Sequence, residues 1–180
     1  RAKANHSGVF VWADSENSDF ASLTSNCFIV RATNGVRFFT DAALSAGVAL
    51  GAGGGSWSTV SDSTLKRNLR EVDYRAVLGT LSRVPIKRWS YLSQTPDIEH
   101  VGPTAQDFHA AFGLGETNTR ISTIDPSGIA LAAVKGLHQV VQEQEKRIAE
   151  LKQKNSDLEA RLESLERRWE MSSAGQTSGE

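Results

Sequence analysis

Ser61 and Lys66 are the residues of this chain whose types and spacing allow covalent chemistry. A lysine that has given up its proton can take the proton of a serine hydroxyl and make it a nucleophile. On one continuous α-helix, residues five apart sit about 140° apart around the axis and cannot meet. The pair can therefore act together only if Ser61 lies outside the helix, on an extended or turning segment that lets its hydroxyl swing to the Lys66 amine. An exposed lysine holds its proton to about pH 10.4, so a lysine base needs burial or neighbouring positive charge. Arg67 and Arg70 are expected within one helical turn of Lys66. On residue types alone the same stretch has a plainer reading, in which Ser61-Asp62-Ser63-Thr64 caps a helix and Lys66-Arg67 is a solvated face.

The elements around this pair follow from residue patterning. Residues 8 to 40 carry short apolar, aromatic and β-branched runs, Gly8 to Trp12, Cys27 to Val30 and Val36 to Thr40, which read as strands. Asn34-Gly35 lies between two of them and predicts a tight hairpin. Gly47 to Gly55 is too poor in side chains to build a core and reads as a linker, or as a strand running close to the axis of packed chains. At Ser61 the character changes to mixed helix and strand, which places a domain boundary there. Val77, Leu78 and Leu81 predict a helix over Asp73 to Arg83, stopped by Pro85. Ile86 to Leu92 is strand-like, Pro103 to Phe112 is helical and stops at Gly113, and Gly115 to Ile124 is loop. Asp125-Pro126 is a helix start, because Asp accepts free N–H groups and Pro needs no partner at the first helical position.

Beyond that start, Ala130, Val134, Leu137, Val141, Gln144, Ile148, Leu151, Asn155, Leu158, Leu162, Leu165 and Trp169 alternate spacings of four and three without a break. This is the heptad stripe of a coiled coil, and one such helix has nothing to bury it against except further helices. In a parallel assembly Lys154 meets Glu159 and Arg161 meets Glu166, both opposite in charge. Arg147 with Lys152 is like-charged, and an exposed pair weighs under about 1 kcal/mol. Arg161-Leu-Glu-Ser-Leu-Glu166 fits the trimer-specifying pattern in which the Arg stem covers the core and its head pairs with Glu. Asn155 in the seam is a residue also found in parallel dimers, while Arg161 and Glu166 favour three chains. The predicted fold class is α+β, an elongated homotrimer with four stretches. These are a β-rich end at 1–60 that is Gly-rich at 47–55, a small α+β domain at 61–125, a long helix at 126–170 and a disordered tail at 171–180.

The formal net charge of −1 and pI of about 6.5 offer no bulk electrostatic pull toward nucleic acid or an anionic membrane. Ala130 to Val141 contains only Lys135 and His138 as basic residues, so no basic helix precedes the heptads, and no nucleic-acid partner is predicted. The single Cys27 excludes an intrachain disulfide and a Cys-ligated zinc, and reads as a small buried apolar residue. No apolar run is long enough to predict membrane insertion in this segment. Neither metal nor cofactor is expected. A chain that starts at Arg1 and has Met171 as its only methionine is expected to be the tail of a longer protein.

Ser61-Asp-Ser-Thr-Leu-Lys-Arg-Asn-Leu-Arg-Glu-Val72 resembles the opening motif of the intramolecular chaperone autoprocessing domain, also called chaperone of endosialidase. The resemblance continues through Val77-Leu78, Leu81, Pro85-Ile86, Trp89 and Tyr91, then His100 to Phe108, Ile121 to Asp125, Gly128 and the heptads. It covers about residues 57 to 169. It implies a domain that assembles as three chains, folds the fibre ahead of it as its own client, and is cut just before the motif serine. It also implies that Ser61 and Lys66 are the Ser-Lys dyad of a self-cleaving serine peptidase and that Val60-Ser61 is the scissile bond. The alternative within the same fold is a trimerisation module that is not cut. His100 and Gln106 fall in a family motif, and a satisfied structural histidine is the expectation for His100. Residues 1 to 60 resemble the strand-rich end of phage or bacterial surface fibres, which implies a virion tail fibre or cell surface as the setting.

Overall fold

The computed structural model describes residues 1–176, with side chains through Met171. It contains both strands and helices, as an α+β chain should, in two compact units, Arg1–Arg70 and Glu71–Glu180. The segment from Ser61 to Arg70 thus belongs with the strand-rich unit.

In the first unit the runs at 8–12 and 27–30 form β2 (Phe10–Ala13) and β4 (Phe28–Arg31), and each is preceded by a two-residue strand, β1 (Ala2–Lys3) and β3 (Phe20–Ala21). β1 pairs with β3 and β2 with β4, both in parallel. Phe10 and Phe28 are directly opposite, and their rings stack 4.7 Å apart. The Asp14 carboxylate accepts the Thr33 N–H at 2.7 Å and the Arg31 Nε at 3.0 Å. These bonds, the Thr33 amide foremost, pull its pKa down to about 2. Cys27 is only half-buried, its thiol donating to the Thr24 carbonyl at 3.0 Å, because sheets of two strands have too little covered face to enclose it.

β5 (Val36–Phe39), β6 (Gly47–Leu50) and β7 (Trp57–Thr59) make an antiparallel sheet with β6 in the centre. Two expectations are corrected here. Asn34-Gly35 does not close a hairpin, since β4 pairs with β2 while β5 pairs with β6. A tight hairpin needs positive φ at both central residues, and only Gly35 has it, at 88°. The Gly35 N–H instead closes a turn onto the Ala32 carbonyl at 2.9 Å, leaving Gly35 as the last residue of an ordinary turn. The Gly-rich stretch is not a linker throughout, because residues 47 to 50 are the central strand. A Cβ at Gly47 would stand 2.1 Å from the Phe38 carbonyl oxygen, so the missing side chain is what admits β5 alongside.

In the second unit α1 (Tyr74–Leu81) starts at Asp73, whose carboxylate accepts the Arg75 and Ala76 N–H groups at 3.0 Å. β8 (Lys87–Trp89) pairs antiparallel with β9 (His100–Gly102). α2 (Ala105–Phe112) is capped by the Thr104 hydroxyl and ended by Gly113, left-handed at φ 63°. α3 (Ile124–Gln176) begins just before the predicted Asp125-Pro126 start and passes the expected end at 170. The remainder of the expected tail, 177–180, lies outside the described residues.

α3 carries two apolar stripes. Ile129, Ala133 and Gly136 are buried, and Gly136 lies against α1, where a Cβ would stand 2.3 Å from the Tyr74 carbonyl oxygen. The heptad stripe is offset from this one and open, from Val134 at 65% exposed and Val141 at 41% to Leu162 at 57% and Leu165 at 59%. The contact with α1 therefore leaves the apolar seam positions from Val134 to Leu165 exposed.

Candidate functional site

Asp62 governs the local fold around Ser61 and Lys66. Its carboxylate accepts the Thr64 N–H and the Thr64 hydroxyl, each at 2.8 Å, and so starts a single 3-10 turn over Ser63–Leu65. The Thr64 amide, then its hydroxyl, and then the charge of Lys66 hold the Asp62 carboxyl below the usual carboxylate range against a partial burial penalty. The turn closes when the Lys66 N–H donates to the Ser63 carbonyl at 3.2 Å, and Lys66 itself is extended, at φ −110° and ψ 146°. Ser61 enters the turn and Lys66 leaves it, so neither belongs to a helix. That solves the spacing problem, because a tight turn folds back what an α-helix would set on different faces.

The outcome is direct contact, with Lys66 Nζ donating to Ser61 Oγ at 2.7 Å. Both side chains are exposed in the single chain. With the lysine neutral, the same distance and pairing serve transfer of the serine proton to nitrogen. Upstream, Val60 is held at the end of β7 by its N–H to the Gly47 carbonyl at 3.4 Å. The Val60-Ser61 peptide thus spans the junction between a strand end and a capped turn. The expected helix carrying Arg67 and Arg70 beside Lys66 is absent, since the chain from Lys66 to Val72 is irregular and passes through Asn68 at φ 58°. Both arginines are exposed.

His100 is held by neighbours. Its Nε2 donates to Gln94 Oε1 at 2.9 Å, and its ring lies 4.7 Å from Trp89 and 5.4 Å from Tyr91. It makes the contacts expected of a satisfied structural histidine. Gln106 is exposed on α2. Asp62 lies in the Ser61 to Thr64 cluster that the sequence marks as a cap, and what it caps is this single 3-10 turn.

Residues 61–113 match the family model described as chaperone of endosialidase, a family named as a peptidase. The matched segment opens on Ser61 and closes on Gly113, the cap of α2. No curated protein and no solved structure matches the chain.

Proposed function

From a segment at 61–113 that carries the chaperone-of-endosialidase signature, we propose that this chain is an intramolecular chaperone of a surface or tail fibre. In this reading it assembles as a parallel homotrimer, registers the β-rich segment ahead of it, and frees itself by cutting Val60-Ser61. The observation that carries the chemistry is the 2.7 Å contact of Lys66 Nζ with Ser61 Oγ at the first residue of the matched segment.

The reaction follows from that contact. Neutral Lys66 takes the Ser61 hydroxyl proton, and Oγ attacks the carbonyl carbon of Val60 through a five-membered ring. The Val60–Ser61 C–N bond breaks as the nitrogen takes the proton from the lysine ammonium. Val60 is then an ester on Ser61 Oγ, and the Ser61 amine is free. Lys66 next draws a proton from water, which adds to the ester carbonyl. The ester C–O bond breaks as Oγ takes the proton back from the lysine ammonium, restoring the serine hydroxyl, and the Val60 carboxylic acid so formed gives its proton to solvent and becomes a carboxylate. One water is consumed, and the chaperone is left with a new N-terminal serine.

Assembly is supported by the open heptad seam. Val134, Leu137, Val141, Ile148, Leu151, Leu158, Leu162 and Leu165 are all exposed in the single chain, a contiguous apolar stripe that soluble proteins seldom leave uncovered. Gln144 and Asn155 are the polar positions of that seam, and Arg161 with Glu166 supply the interchain salt bridge of the trimer. Aligning three chains at the coil raises their effective concentration upstream and lowers the entropic cost of starting non-local β pairing. Removing the clamp after the strands interlock leaves a fibre whose stability is kinetic.

Ser61→Ala and Lys66→Arg test the reading together. Each should assemble like the wild type and stay uncut on denaturing gels, since the first lacks the nucleophile and the second keeps charge and length but cannot become a base. Normal cleavage in Lys66→Arg would overturn the lysine's role. An uncut wild type that still assembles would leave a structural trimerisation module.

A further inference from the structure

Residues 1–36 are laid out on an interval of eighteen. Ala2 with Phe20, Lys3 with Ala21, and the four pairs from Phe10 with Phe28 to Ala13 with Arg31 keep that offset, and all are parallel. The backbone repeats the interval outside the strands. Gly8, Asn26 and Leu44 are left-handed at φ 68°, 56° and 56°, and Gly35 and Gly53 at 88° and 68°. Residues 1–18 and 19–36 are thus two stacked rungs, each a short strand, a left-handed corner and a longer strand. The corners are stitched by the Asn26 N–H on the Ser7 carbonyl at 3.0 Å and by the buried Ser22 hydroxyl, which accepts the Asn5 N–H at 2.9 Å. The Phe10–Phe28 stack, 4.7 Å apart with planes 9° from parallel, repeats at the strand spacing itself. The next interval keeps its left-handed residues Leu44 and Gly53, but there β5 and β6 fold onto each other, since Gly47 stands where Ile29 stands one rung earlier.

On the other side no strand lies beside β1 or β2 among the described residues. Phe10 and Asp14 donate their N–H groups to the Cys27 and Arg31 carbonyls. By strand alternation Val11 and Ala13 therefore turn their N–H and C=O groups to the open edge. Such an edge is a template for another strand. It repeats, one rung earlier, the junction by which the second rung holds the first.

We propose that this edge docks a further rung of the same construction, carried in the same chain ahead of β1. It would be eighteen residues long and parallel, with a left-handed corner over Gly8 and a flat apolar side chain over Phe10. The first unit is then the end of a stacked coil whose rungs stabilise one another by nearest-neighbour contact. The inference stands whether or not Val60-Ser61 is cut.

The test fuses a copy of residues 19–36 directly ahead of Arg1 in the full chain, beside a control with the same eighteen residues scrambled. Amide exchange is read at Val11 and Ala13. The matched rung should slow both by about tenfold or more, independently of protein concentration, while the scrambled rung leaves them at the parent rate. Equal exchange in the two fusions would overturn the proposal. So would slowing in the parent that grows with concentration, because the edge would then serve a second copy. If the fusions fail to fold, a copy of residues 1–18 inserted between Ser18 and Asp19 is compared with an insertion of residues 1–9 alone. The full rung should leave the melting temperature at or above the parent's and the half rung should lower it. Equal lowering would overturn the proposal.

Discussion

At the scale of the residue, the pairing of Ser61 with Lys66 depends on a third side chain that performs no chemistry. Asp62 accepts both donors of Thr64 and thereby sets the turn that returns Lys66 to Ser61. Asp62→Ala should slow the appearance of cleaved chain several-fold on a gel time course without abolishing it, because the two reacting groups remain and only their pre-alignment is lost. Asp62→Asn, which can still cap, should recover most of the rate. Loss as complete as in Ser61→Ala would instead place Asp62 in the chemistry itself. The need for Ser61 to lie outside a helix was readable from five-residue spacing alone. That Lys66 also lies outside one was not, because a stretch of Lys, Arg, Asn and Leu is compatible with a helix and gives no sign of the left-handed Asn68.

At the scale of the element, the helices were the legible part and the strand pairings the illegible one. α1, α2 and α3 announce themselves by Asp73, Thr104, Gly113 and Asp125-Pro126, local signals that act within a turn of the residues that carry them. The parallel pairing of β2 with β4 joins residues eighteen apart, and nothing within either strand specifies its partner. The interval itself was present in the sequence, with glycine or asparagine at positions 8, 26, 35 and 53, but was masked by Leu44, a residue rarely left-handed. Gly136 has a role that heptad counting conceals, since it belongs to the stripe that receives α1 rather than to the seam. Gly136→Val should therefore destabilise the second unit by roughly 1–3 kcal/mol in denaturant melts, the range of overpacking, while a coil seam that does not include it stays intact. Unchanged stability would mean that α1 does not rest on α3 there.

At the scale of the whole molecule, the proposed function rests on an exposed apolar seam, a strand-rich first unit and the contact of Lys66 with Ser61. The seam predicts a trimer mass by light scattering at micromolar concentration, and a charge placed in it by Leu151→Asp should reduce that mass to the monomer. A dimer mass in the wild type would reassign Asn155 as the residue that sets chain number. The central claim is the cut itself, and intact-mass spectrometry of freshly purified wild type, followed through incubation from neutral to alkaline pH, reads it directly. The account predicts two fragments, residues 1–60 and 61–180, whose share of the total mass grows with time. Only the full-length mass at every pH and time would contradict it.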